Sequence, residues 1–189
     1  MKEHRLDFKV RLNTRKKPFM IIRRERPTDY SAVNRIIKNA FKTAAESDGN
    51  EHNLAAALRK SPSFIPELTL VAEINEEIAG HIMFTKLQIG NHTALALAPL
   101  SVLPKYQNQG IGTALILEGH RIAKELGYSY SVVLGSEKYY PRMGYLPAES
   151  FNIQPPFEVP SKNFMAFKLS KDAPAISGTV KYAEEFGID

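Results

Sequence analysis

The chain contains no cysteine. A disulfide framework, a thiolate metal site and a cysteine nucleophile are therefore excluded. Long apolar runs are missing as well: none approaches the ~20 residues of a bilayer span, and no charged-then-apolar leader opens the chain. These absences predict a soluble, cytoplasmic protein with no membrane contact. No internal repeat is visible, and His92 to Leu103 holds no acidic residue.

At 189 residues the chain is long enough for one domain with a real core and too short for two generous ones. Its charge is unevenly placed. Residues 1 to 24 hold Lys2, Arg5, Lys9, Arg11, Arg15, Lys16, Lys17, Arg23 and Arg24 against Glu3 and Asp7, a net +7 in a chain of total +5, so the rest carries −2. A basic N-terminal extension over 1–18 precedes the first expected strand, which begins at Phe19 and opens the domain over 19–189. Such an arm binds nucleic acid or an anionic surface in some proteins. Here Arg15-Lys16-Lys17 is accompanied only by Phe8 and Phe19, so a solvated extension is the preferred reading.

In chain order, the spacing predicts a strand from Phe19, a turn at Pro27-Thr28-Asp29 whose Thr28 or Asp29 caps a helix, and that helix over Tyr30 to Thr43. Val33, Ile36, Ile37, Ala40 and Phe41 form its apolar stripe. A short second helix covers Glu51 to Lys60. A hairpin follows, with strands Glu67 to Glu73 and Ile78 to Thr85 about an Asn75-Glu76-Glu77 turn. Later strands are expected at Tyr128 to Leu134 and Asn163 to Leu169, with a proline-rich irregular segment between Phe151 and Pro160.

The central stretch lies between the hairpin and the Tyr128 strand. Ala94 to Leu103 is almost wholly apolar, is interrupted by Pro99 and is stopped by Pro104. Gln107-Asn108-Gln109-Gly110-Ile111-Gly112 then opens a helix running to about Leu126, with Gly127 as its C-terminal cap. Two glycines spaced in this way let the backbone turn and leave the first helical N–H groups uncovered. Uncovered N–H groups at a helix start attract an anion, most naturally a phosphate. Many helices nevertheless begin after a glycine turn with nothing bound.

Gln107-x-x-Gly110-x-Gly112 after a strand resembles the acetyl-CoA signature of the GCN5-related N-acetyltransferases (GNAT superfamily). Tyr140-Pro-Arg-Met-Gly144-Tyr145 is similar to that family's second signature, Tyr-x-x-x-Gly-(Phe/Tyr). The C-terminal part, with Pro-Phe-Glu-Val-Pro and Gly-Thr-Val-x-Tyr, resembles the YhbS-like branch, and the resemblance runs from about Phe19 to the C-terminus. It implies an α/β (α+β) GNAT fold: one mixed, mostly antiparallel central sheet flanked by helices, with a splayed strand pair at the cofactor site. Residues 19–189 would then be the N-acetyltransferase domain. The crossover rule alone makes the strands on either side of the central helix parallel neighbours.

The resemblance also distributes roles. Backbone groups from Gln109 through Gly110, Ile111 and Gly112 to Thr113 would seat the acetyl-CoA pyrophosphate, with Gln107 positioning the turn; Lys105 and Arg142 are either further phosphate partners or ordinary surface charge. Leu100, Ser101 and Val102 would pair with pantetheine through their main chain, and the Val102 N–H would polarise the thioester carbonyl. Tyr140 would be the general acid, with Tyr139 as its substitute. The two helices after the first strand, and the loop joining them, would wall the acceptor cleft. One departure from the pattern is that Gly135-Ser136 stands where an Asn usually ends the strand. A general base is not assigned; His92, Glu73 and His81 are candidates, and a base acting through ordered water is an equal alternative. The function implied is direct acetyl transfer from acetyl-CoA to a primary amine of a small molecule or protein, without a metal; the oligomeric state stays open, with a homodimer as one option because dimers are common in the family. An acetyl-CoA-binding sensor without turnover is the alternative reading, and a nucleic-acid binder is a third that rests on the N-terminal charge alone.

Overall fold

The computed structural model describes residues 8–11, 19–42 and 49–188. Its centre is an antiparallel run: β3 (Phe64–Ile74), β4 (Glu77–Ile89) and β5 (His92–Val102). β2 (Phe19–Arg24) pairs with the outer edge of β3, and β1 (Phe8–Arg11) pairs with β2. β1 lies within the basic extension, so the sheet reaches past residue 19. Residues 1–7 and 12–18 of that extension fall outside the described residues, as does the 43–48 loop expected to wall the acceptor cleft.

Side-chain alternation along β4 sorts the two faces. Gly80, Ile82 and Phe84 meet helix α3 (Ile111–Glu125). The opposite face, with Val71 and Met83, lies under α1 (Tyr30–Phe41) and α2 (Glu51–Leu58), which contribute Val33, Ile37, Ala55 and Leu58. α3 sits close to the sheet because Gly119 has no β-carbon; one there would strike the Phe84 ring. Asp29 is the N-cap of α1, yet its carboxylate does not cap the helix. It accepts instead from Arg23 Nη1 at 2.7 Å and from the Arg26 N–H at 2.8 Å, fastening β2 to the helix start. Burial works to raise the Asp29 pKa, and the Arg23 guanidinium and Arg26 N–H outweigh it and hold the carboxyl low.

Beyond α3, Gly127 adopts φ +84° and ends the helix as expected. β6 (Tyr130–Leu134) then runs parallel to β5, but the two share only the Leu95–Ser131 and Ala96–Val132 pairs. Past Ala96 the strands separate. β5 continues from Leu97 to Val102 bonded to β4 alone, while Val133 and Leu134 pair with β9 (Phe164–Lys168). Parallel neighbours and splayed strands are thus both present, at successive points of one strand pair. Two-residue β7 (Leu146–Pro147) edges β9, and β8 (Ile153–Gln154) lies parallel to β10 (Gly178–Lys181). β10 also pairs with the end of β4 through Val180–Ile89 and Lys181–Gln88, an addition to the expected strands. Among the described residues no helix is long and apolar enough to cross a membrane.

Candidate active site

The wedge between β5 and β6 opens beside the start of α3. Gly110, at φ +85°, is the N-cap, and no side chain caps the helix. The Leu103 N–H donates to the Ala79 carbonyl of β4 at 2.9 Å. Because successive amides of a strand point to opposite sides, the Val102 N–H and C=O project away from β4. Gln107 Nε2 donates to that Val102 carbonyl at 3.1 Å, and Gln109 Nε2 to the Lys105 carbonyl at 3.0 Å. Both glutamines brace the turn with their side chains, and the Val102 N–H is left facing the wedge.

A cavity of about 400 Å³ joins these parts. Leu100, Val102, Gln107, Gly110, Ile111, Gly112 and Thr113 line it, together with Tyr106, Tyr139, Arg142 and, from the end of α1, Phe41. Of the expected site residues, Ser101, Gln109 and the general-acid candidate Tyr140 are not on its wall. Ser101 is buried, its hydroxyl turned to the opposite face of β5 with no hydrogen-bond partner among the described residues. Lys105 also stands apart. Its Nζ donates to Glu77 Oε2 at 2.7 Å, and Tyr106 Oη donates to the same oxygen at 2.9 Å. These bonds hold the Glu77 carboxyl below, and the Lys105 ammonium above, their ordinary pKa values. Lys105 lines a neighbouring groove with Arg35 and Glu76 instead.

The two tyrosines are separated by the geometry of their segment. Tyr140–Met143 is a 3₁₀ turn, in which side chains three apart project to the same side. Tyr139 and Arg142 therefore both reach the cavity. Tyr140 and Met143 turn inward: the Tyr140 ring covers Gly135, where a β-carbon would strike it, and packs edge-on against Tyr145 at 5.6 Å. Burial, then the neighbouring Tyr139, pushes the Tyr140 phenol up, so it keeps its proton throughout the physiological range. Tyr145 in turn joins His120 Nε2 at 2.9 Å and Ser131 Oγ at 2.8 Å, a buried polar chain beneath Tyr140 that the sequence motifs did not signal.

None of the three base candidates lies on the cavity wall. His92 is exposed at the far end of β5. Glu73 accepts from Arg23 Nε at 2.9 Å, two strands away from β5. His81 faces Ser101 in register and is fully buried, with Nε2 3.5 Å from Glu25, whose carboxylate is held by Arg59. Burial first, and then the Arg59 charge, lower its pKa to about 3, which makes it a poor proton acceptor at neutral pH.

A helix start, an unpaired strand edge and a phenol around one cavity are the parts an acyltransferase needs. The model of the acetyltransferase (GNAT) family matches residues 32–145. This chain belongs to that family. As a family member it is an acyltransferase. It is 30% identical over 165 residues to the uncharacterized N-acetyltransferase YjhQ of Escherichia coli K12, covering 83% of this chain and 88% of that protein. The crystal structure of YhbS, a GNAT-family N-acetyltransferase from Escherichia coli in complex with CoA, superposes with a TM-score of 0.82 at 27% identity, over 93% of this chain and 96% of that one. A GNAT-family acetyltransferase from Brucella melitensis in complex with acetyl-CoA gives a TM-score of 0.73 at 32% identity, over 88% and 97%.

Proposed function

We propose that the chain transfers the acetyl group of acetyl-CoA directly to a primary amine of a small molecule or protein. The observation that carries this reading is the convergence, on one cavity, of the uncapped α3 start and the half of β5 that β6 leaves unpaired. The pyrophosphate would rest on backbone N–H groups from Gly110 to Thr113, where the helix dipole favours negative charge. Pantetheine would run along Leu100 to Val102 as a substitute strand. The Val102 N–H would then donate to the thioester oxygen and stabilise the charge that develops on it.

In the transfer step the amine nitrogen bonds to the carbonyl carbon and the carbon–sulfur bond breaks. The departing thiolate takes the proton of a phenol, Tyr140 at the motif position or Tyr139, the member of the pair on the wall; the nitrogen's second proton restores that phenol, its first having passed to water. That last assignment follows from the wall itself, which among the described residues presents no carboxylate or imidazole. The same observation favours a second reading, a module that binds acetyl-CoA without turning it over.

Thiol release from acetyl-CoA across a panel of small amines and amino-terminal peptides tests the proposal. Amine-dependent release with N-acetylated product is expected. Binding without release on any amine would leave the sensor reading in its place.

A further inference from the structure

We propose that the acceptor is an amine with an apolar body, and that Leu134 and Phe157 are the surface on which that body rests. The inference rests on the acetyl-transfer reading above and narrows its acceptor. The cavity passes through the sheet: α3 supplies Ile111, Gly112 and Thr113 to its wall, and α1, on the opposite face, supplies Phe41. A donor seated at the α3 start leaves the α1 side as the way in to the thioester. Side chains of β6 alternate across the sheet, Val133 joining the core on the α3 side and Val132 the core on the other. That second core shares the α1 face, since Met83 and Leu87 project to the same side of β4. Leu134 therefore points to the α1 side, at the end of β6 and past its last pair with β5. It is 48% exposed, although Phe164, its cross-strand partner on β9, is buried.

One exposed leucine means little by itself. Its surroundings give it a use. The half-buried Phe157 ring meets the Phe164 ring edge-on at 6.4 Å, which sets a second apolar group beside the Leu134–Phe164 pair. Phe157 belongs to Pro155-Pro156-Phe157-Glu158-Val159-Pro160, where three prolines restrict the backbone and Val159 packs on the core beneath. The surface is thus held in place before a ligand arrives, which lowers the cost of binding one. The charged residues that flank Leu134 and Phe164 in the chain, Glu137 and Lys162, are paired with each other at 2.6 Å. With Phe41 on α1, three elements place apolar side chains on the acceptor face. An alkyl or aryl group gains by burial against them, whereas a polyamine would have to desolvate its ammonium groups there.

Steady-state thiol release from acetyl-CoA along the series ethylamine, butylamine and hexylamine tests this, with spermidine as the polar comparison. The three alkylamines are almost equally basic, so their rates differ by apolar contact. Full burial of one methylene is worth about fourfold in an equilibrium constant. On a surface open at one side, kcat/KM is expected to rise about twofold to fourfold per methylene, and hexylamine should be used better than spermidine. Leu134→Ser and Phe157→Ser should each flatten the series, with CoA affinity by calorimetric titration about that of the parent. A flat or falling series in the parent, or a preference for spermidine, would overturn the proposal. So would a parental slope in both variants, or a loss of CoA affinity as large as the loss of rate, which would place these side chains on the donor. Absence of thiol release with every amine would instead sink the acetyl-transfer reading on which the proposal depends.

Discussion

The Tyr139 hydroxyl rests against Gly112, in the space that a β-carbon on that residue would fill. The second glycine of the turn is therefore needed for a side chain that arrives 27 positions later, in addition to any need of the turn itself.

Gly112→Ala should push the Tyr139 ring away from the helix start. Overpacking of this kind costs about 1–3 kcal/mol, offset in part by the better helix propensity of alanine. Removing the hydroxyl with Tyr139→Phe relieves the collision, so the two changes should be non-additive by about 0.5 kcal/mol or more. Urea melts of the two single variants and the double variant measure this coupling.

Tyr140→Phe removes the proton offered to the thiolate and leaves the ring packing over Gly135 intact. General acid catalysis contributes roughly 10²–10⁴-fold, so kcat should fall by such a factor while CoA affinity is kept. Full turnover at saturating acetyl-CoA would assign the proton to another group, and the Tyr139→Phe rate would then show whether that group is Tyr139.

Tyr145→Phe strands two buried partners, His120 and Ser131, which each bond its hydroxyl. Leaving buried polar groups unsatisfied costs about 1–3 kcal/mol. The loss should appear as a lower urea midpoint with an unchanged slope.

Acid should destabilise the fold through its buried histidines. Burial lowers the His120 pKa to about 4 from the ordinary value of 6.5. The unfolded chain thus binds the proton more readily, and stability is complete above about pH 6.5 and lost as pH falls toward 4. His120 alone supplies about 3 kcal/mol of this loss, and His81, lowered to about 3, adds to it in the same direction. Unfolding free energies measured between pH 7 and 4.5 should fall in the parent and fall less steeply in His120→Gln.

Much of the donor side was legible from local pattern. The apolar run ending at Leu103, the stop at Pro104 and the glycines at 110 and 112 each act within a few residues, and the structure places strand, turn and helix there. What was not legible depends on distant partners. β10 pairs with a stretch of β4 some 90 residues upstream, and a four-residue strand carries too little periodicity to announce itself. Lys105 was offered to a phosphate because Glu77, the partner that holds it, lies 28 residues earlier. The sorting of Tyr139 from Tyr140 needed the three-residue period of a 3₁₀ turn, which the motif spacing does not encode. The base candidates were chosen for chemistry alone, and strand order carried each of them off the cavity wall.

The seat at the glycine turn is the claim on which the rest depends, and calorimetric titration of acetyl-CoA into Gly110→Glu tests it most directly. Gly110→Asn, which tolerates the left-handed backbone and adds no charge, serves as the folded control. A carboxylate placed at the helix start would repel a diphosphate, so the account predicts binding at least about 100-fold weaker in Gly110→Glu than in the control. Affinity equal to that of the parent would contradict it.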